Sequence, residues 1–375
     1  MSSSPITPRP RLLMGPGPSN VHHRVLAAMA QPTVGHLDPV FSDMMEEVKD
    51  LMRAVFRTKN ALTIPLSGPG SVAMETCLVN LVSPGDEVIV CINGVFGTRM
   101  ADIVIRCGAT PVKVETPWGE PVDVDAVRAA IADHSNAKVL AFVHAETSTG
   151  VASDAAALCA LGQEHGLLTI VDAVTSLGGI PVETDAWGAD AIYSGTQKCL
   201  SCPPGLSLLT MSDRAQKAMK ARNAPAQSWF MDLALVMAYW DGEGGRTYHH
   251  TAPVNAVYGL YQALLDVQAE GLEARWQRHR TCHEALVDGL AGLGLSLPVA
   301  PEARLPQLNL VTIPDGADDA GVRKALLSDH GIEIGAGLGA FVGTHWRIGL
   351  MGETAQTESV NRLILALGAV LSGQG

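Results

Sequence analysis

Two residues in this chain are of types that do chemistry together. Lys198 closes the small-residue stretch Ser194-Gly195-Thr196-Gln197. Asp172 stands 26 positions earlier (198 − 172), at the end of the apolar run Leu168-Thr169-Ile170-Val171. A lysine held in a tight turn is desolvated, which lowers its pKa and makes the amine a nucleophile toward carbonyls. An acid ending an apolar strand is either a satisfied structural group or the partner of a buried cation. A third stretch, Ser67-Gly68-Pro69-Gly70-Ser71, turns the run 62–66 into a helical pattern over 72–82. A glycine turn there aims backbone N–H groups, helped by the helix dipole, at an anion. It lacks the Gly-Lys-Ser/Thr ending of a P-loop and does not fit the dinucleotide fingerprint.

These groups need elements that bring them together. Strand-like runs at 62–66, 87–91, 111–114, 139–144, 168–172 and 191–193 alternate with helical patterns at 72–82, 124–131 and 155–165. Such alternation predicts a mostly parallel sheet covered by helices on both faces. Ligands bind at the carboxyl ends of such strands. The loops after Leu66, Cys91, His144, Asp172 and Tyr193 should therefore face one cleft. That cleft would collect the phosphate-type turn, Phe96 in a loop over 94–97, Thr147-Ser148-Thr149-Gly150, Asp172 and Lys198. A lysine to hold an aldehyde, an acid to keep a pyridine nitrogen protonated and a helix N-terminus to take a phosphate fit pyridoxal 5'-phosphate.

Upstream, Gly15-Pro16-Gly17-Pro18 reads as stiff backbone lining a site where a side chain would be in the way, with Ser19 or Asn20 capping a helix over 22–29. Phe41 to Phe56 carry a helical apolar stripe, and Gly242-Glu243-Gly244-Gly245 reads as a loop. A long helical pattern over 255–290 breaks near Gly271. Strands near 308–313 and 345–348 and helices near 320–329 and 356–371 follow, as in a smaller α+β domain. The expected division is an extended segment over 1–20, a large domain over 21–257 and a small C-terminal domain over 258–375.

The chain has 375 residues, 47% hydrophobic and 17% charged, a balance that suits a soluble enzyme of two domains. A net charge of −12 with no Lys/Arg cluster argues against nucleic acid as a main partner. No apolar run reaches membrane-spanning length, and the first residues lack a signal-peptide pattern. With seven cysteines, an odd number, a cytoplasmic protein with free thiols is expected. Cys199-Leu200-Ser201-Cys202 has no second pair to complete a zinc site, and adjacent His249 and His250 rarely share one metal, so no metal is expected. Gly335-Ala336-Gly337-Leu338-Gly339-Ala340 matches G-x-G-x-x-A, but too little chain follows it for a dinucleotide-binding half. It reads as a flexible loop beside the cleft.

Four stretches together form a family pattern: 15–20, His144-Ala145-Glu146-Thr147-Ser148-Thr149-Gly150-Val151, Val171 to Gly179, and Tyr193 to Lys198. With Tyr248-His249-His250-Thr251 and Trp346-Arg347-Ile348-Gly349, they make the chain resemble the class V aminotransferases of fold type I. The resemblance is to the alanine–glyoxylate and serine–glyoxylate group and spans nearly the whole length. It implies pyridoxal 5'-phosphate as cofactor, Lys198 as its covalent holder and Asp172 as partner of the pyridine nitrogen. Phe96, Thr147 and Val174 would contact the ring, and Gly70, Ser71 and Gln197 the phosphate. Tyr248 and Thr251 would reach the phosphate of a partner subunit, in a homodimer with shared sites. Arg347 would bind the substrate carboxylate, with the backbone at Gly17 close by. The implied reaction moves an amino group from a small amino acid, alanine or serine, to glyoxylate or a similar 2-oxo acid. Ureidoglycine–glyoxylate and pyridoxamine–pyruvate aminotransferases and cysteine desulfurases use related frameworks. The ring position here is Phe96 rather than Trp or Tyr, and Pro69 removes one N–H from the turn. No second basic group is evident for a distal carboxylate.

Overall fold

The computed structural model describes residues 8–240 and 246–373. The loop expected at 242–245 and the first seven residues of the leading segment lie outside the described residues.

The runs of the first half build one seven-stranded sheet: β1 (Leu62–Ser67), β2 (Glu87–Ile92), β3 (Thr110–Glu115), β4 (Val139–Val143), β5 (Leu168–Asp172), β6 (Ala191–Gly195) and β7 (Leu206–Met211). Their spatial order is β1-β7-β6-β5-β4-β2-β3. Neighbours are parallel except around β7, which runs antiparallel to both β1 and β6. The sequence reading leaves β7 unassigned. All six of its residues are buried, so it shows none of the alternation that marks a half-exposed strand. Helices Gly70–Leu81, Val95–Arg106, Val124–Asp133 and Ala155–Glu164 connect the strands. Asp123 and Asp154 start two of them by accepting backbone N–H bonds from the first turn. The fold is α/β, with a mostly parallel central sheet whose strands are joined by helices, as the alternation of runs predicts.

Three local expectations fail for identifiable reasons. The helix at 23–29 is capped by His22, whose Nδ1 accepts from Arg24 N, because Ser19 and Asn20 are occupied elsewhere. Phe96 lies in the first turn of a helix and not in a loop, since Ser148 and Glu146 take up the N–H groups that would otherwise be orphaned. Strand β6 runs on to Gly195, held by pairing of Gly195 with Ser207 on β7.

The C-terminal part forms a second, antiparallel sheet, β8 (Leu308–Thr312), β9 (Gly335–Ala336) and β10 (His345–Gly349), in the order β8-β10-β9. The stretch expected to be a flexible loop thus supplies β9 and a 3-10 turn, Gly339–Phe341. Trp346 and Ile348 are fully buried in an apolar core of their own with Leu286, Leu326 and Leu363. Met14 belongs to that core, and Leu12–Leu13 pairs in parallel with Ile332–Glu333. That pairing forms a two-stranded sheet of its own, and Gly349 N of β10 donates to Met14 O at 2.8 Å, so the leading segment is fastened to the C-terminal part, which delivers Pro16 and Gly17 to the cleft. Helices Val254–Glu270 and Leu272–Gly292 meet at Gly271, whose φ of +83° only glycine adopts readily.

Candidate active site

A cavity of about 190 Å3 opens at the carboxyl ends of β1, β2, β5 and β6. Its walls are Pro69, Gly70, Ser71, Met74, Phe96, Arg99, Asp172, Val174, Gln197 and Lys198. The chain thus brings together at one site the turn, the aromatic, the acid and the lysine that sequence reasoning singled out.

Asp172 is buried at the end of β5. One carboxylate oxygen accepts from Val174 N at 2.8 Å and the other from the Tyr193 hydroxyl at 2.8 Å. Burial pushes the carboxyl up to about 6; the two donors and Lys198 oppose the rise, and Glu146 adds to it. Parallel register sets Tyr193 of β6 directly beside Asp172 of β5. Burial and the neighbouring carboxylate also raise the tyrosine's own pKa, so the phenol stays a donor.

Lys198 is equally enclosed. Burial pulls its amine down to about 8; the Arg347 guanidinium pulls the same way, while Cys199, Asp172 and Glu146 oppose it. Nζ donates to Pro16 O. Gly17 faces the lysine with φ +107°, and a Cβ there would stand 2.6 Å from Nζ. Two requirements, conformation and space, therefore call for glycine at 17. The loop behind Lys198 is fastened from two sides. Ser19 Oγ donates to Lys198 O at 2.8 Å, which is why Ser19 caps no helix, and Arg275 donates to Cys199 O at 2.5 Å.

The aromatic wall is built less directly. Val95 N donates to Ser148 Oγ at 3.0 Å and Phe96 N to Glu146 at 3.3 Å. Glu146 accepts in addition from Ser148 N and Oγ, at 3.0 and 2.6 Å. This buried pair caps the helix that carries Phe96. Gly94 makes room for it, since a Cβ there would lie 2.4 Å from Glu146. Burial raises the Glu146 carboxyl against these hydrogen bonds. Arg99, one turn on from Phe96, sits 4.8 Å over its ring and donates to Ser71 Oγ at 3.0 Å. A guanidinium that sequence reasoning did not single out, that of Arg99, therefore lines this cavity.

Around the rim, Gln197 Oε1 is buried without a hydrogen-bond partner. A Cβ at Gly195 would come within 2.8 Å of it, and one at Gly70 within 3.1 Å of Val174. Thr147 Oγ1 is bonded to Thr175 Oγ1 at 2.5 Å. Arg347, on β10, donates through Nε to Ala336 O at 2.8 Å and through Nη1 to Thr147 O at 3.4 Å. Burial lowers its pKa from the usual value, with Glu146 opposing. Tyr248 and Thr251 are exposed, and neither lines this cavity. The thiols of Cys199 and Cys202 are buried, and each is pushed up to about 12 by that burial, which leaves them unreactive as a redox pair.

Sequence reasoning missed Tyr193, Glu146 and Arg99. Arg99 carried a signal, its three-residue spacing from Phe96. Tyr193 required the register of two strands, and Glu146 a contact with a helix start 50 positions earlier, and neither is written in local sequence.

The family model for aminotransferase class-V matches residues 12–358, and the chain belongs to that family. It is an aminotransferase. Among particular relatives, it is 39% identical over 368 residues to the alanine–glyoxylate aminotransferase of Rattus norvegicus, covering 97% of this chain and 88% of that one. It is 36% identical to the (S)-ureidoglycine–glyoxylate transaminase of Bacillus subtilis, over 96% of this chain and 90% of the relative. The crystal structure of an alanine–glyoxylate aminotransferase from Nostoc sp. superposes with a TM-score of 0.96 at 46% identity, covering 99% and 98% of the two chains.

Proposed function

We propose that this aminotransferase moves an amino group from alanine or serine to glyoxylate, using pyridoxal 5'-phosphate bound in the cavity of Lys198 and Asp172. The observation that carries the reading is the paired environment of those two residues: a buried amine pulled down to about 8 beside a buried carboxyl. The cavity suits the cofactor implied by the family. The helix N-terminus at Gly70 and Ser71 presents a phosphate site, and the orphaned Gln197 Oε1 marks a side chain short of a partner.

When bound, the cofactor withdraws electrons from the substrate's α-carbon. Lys198 Nζ would hold the aldehyde and, as a free amine, would serve as the general base that takes the α-proton and then as the general acid that delivers it elsewhere. Asp172 would keep a proton on the pyridine nitrogen, with Tyr193 fixing the carboxylate's orientation. Beside a protonated ring nitrogen, Asp172 would be held ionised at neutral pH. Phe96, Val174 and Thr147 would contact the ring, and Gln197 the phosphate. Arg347 would clamp the substrate carboxylate by two parallel hydrogen bonds, with the Gly17 backbone beside it.

Tyr248 and Thr251 would complete the site of a partner subunit in a homodimer. Tyr248 is 61% exposed, and Leu26, Leu37, Val40 and Trp229 are exposed apolar side chains of the kind a subunit interface covers. All seven cysteines are free, which supports a reducing compartment such as the cytoplasm. Among the described residues no helix is long and apolar enough to cross a membrane.

The test is a panel of amino donors assayed against glyoxylate, pyruvate and 2-oxoglutarate, with borohydride trapping of the cofactor and mapping of the tagged residue. The reading requires a tag on Lys198 and highest turnover with glyoxylate and a small donor. A tag elsewhere, or preference for 2-oxoglutarate, refutes it.

A further inference from the structure

We infer that Arg99 supplies the cationic charge that holds the cofactor's phosphate, and so sets cofactor affinity in this chain. The inference rests on the cofactor reading above and adds a residue that neither the family pattern nor the lysine–acid pair points to.

A phosphate at the start of the helix Gly70–Leu81 would bring negative charge into a cavity that already holds the Asp172 carboxylate, with Glu146 buried close behind. The turn is poorly equipped for it. Its N-cap is Pro69, which has no N–H, and no side-chain bond caps the helix. Val72 N is turned back onto Pro69 O at 2.7 Å, so Gly70 and Ser71 are left as the backbone donors. Two N–H groups and a helix dipole attract an anion weakly next to a full positive charge.

Among the described residues, three cationic side chains stand at or beside the site. Lys198 is committed to the aldehyde. Arg347 faces Ala336 O and Thr147 O at another edge. Arg99 alone lies on the side of the turn, bonded to Ser71 Oγ in the first helical turn at 3.0 Å. Its guanidinium rests against Phe96 at 4.8 Å from the ring centre, so the aromatic wall holds the planar fork beside Ser71. Guanidinium matches phosphate oxygens through paired donors, and Arg99 has donors to spare after its bond to Ser71. The same assignment explains how a second basic group coexists with small substrates: its charge is taken up by the cofactor.

The experiment titrates the cofactor-free protein with pyridoxal phosphate and, separately, with pyridoxal, which lacks the phosphate, following absorbance of the adduct at Lys198. Arg99→Gln should weaken pyridoxal phosphate by about tenfold or more, the usual effect of losing a charged hydrogen bond. It should leave pyridoxal within about twofold of wild type. Arg99→Lys, which keeps the charge and loses the fork, should recover part of the loss. Equal weakening of both ligands would trace the effect to the aromatic wall and overturn the inference, as would unchanged affinity for pyridoxal phosphate. A wild-type protein that forms no adduct at Lys198 with either ligand would instead sink the cofactor reading itself.

Discussion

Replacing Lys198 by methionine should make the cofactor-free protein relatively more stable at neutral pH and relatively less so at high pH. The lysine's pKa falls from 10.5 in the unfolded chain to about 8 in the fold, chiefly through burial. At about 1.4 kcal/mol per pH unit, the charged amine therefore costs the fold about 3 kcal/mol. The unfolded chain binds the proton more tightly, so the cost is fully present below about pH 8. It disappears as pH rises toward 10.5. Methionine keeps an unbranched chain and carries no charge. It gives up the bond to Pro16 O, which enters as a roughly constant offset of about 1 kcal/mol. Urea unfolding of both cofactor-free proteins at pH 7 and pH 10 isolates the titrating part, because other groups cancel in the difference. Wild type should gain about 2–3 kcal/mol on the variant across that interval. A change well under about 1 kcal/mol would mean that the amine is not desolvated, and the argument for its reactivity would go with it.

Asp172→Asn keeps the shape and removes the charge, and should cut kcat by far more than it weakens cofactor binding; near-normal turnover would deny Asp172 the nitrogen. Tyr193→Phe removes a donor from the ionised carboxylate, so Asp172 should hold its proton to a higher pH. The acid limb of kcat/KM should move upward, and an unmoved limb would make the phenol a packing group only. Mixing inactive Lys198→Ala chains with inactive Tyr248→Ala/Thr251→Ala chains should restore activity, since one site in each heterodimer is whole; no recovery with subunit exchange confirmed would place those residues outside a shared site. Arg347→Lys keeps the charge and loses the bidentate fork, so KM for glyoxylate should rise and kcat fall through poor orientation; unchanged kinetics would remove Arg347 from the substrate.

Much of this was legible in the sequence because strand ends and helix starts are local features. The order of runs gave the mostly parallel sheet, and that sheet carries Asp172 and Lys198 to neighbouring strand ends, β5 and β6. What stayed hidden was tertiary. Strand β7 gave no periodic signal, being buried on both faces. The helix at Phe96 looked like a loop because its cap comes from Glu146 and Ser148, some 50 residues on in the chain. Ser19 looked like a cap because nothing local reveals that its hydroxyl is spent on Lys198 O, 179 positions away. Tyr248 and Thr251 stand exposed in the single chain, and their proposed role needs a second copy.

The burial that destabilises Lys198 is also what makes it useful. At pH 7 an amine of ordinary pKa is about 0.03% neutral, whereas one at about 8 is about 10% neutral, a gain of about three-hundredfold in the nucleophilic form. A full ion pair with Asp172 would undo this, because a bonded carboxylate would raise the amine again. The fold keeps the two groups from pairing by satisfying each with other partners: Asp172 with Val174 N and Tyr193, Lys198 with Pro16 O. Ser19 and Arg275 hold the lysine's loop by its carbonyls, bonds that leave the amine's charge untouched. Those anchors come from opposite ends of the chain, the leading segment and the helix Leu272–Gly292. The C-terminal part, which holds the leading segment through Ile332–Glu333 and through Gly349 N of β10 bonded to Met14 O, is therefore part of what keeps the amine reactive.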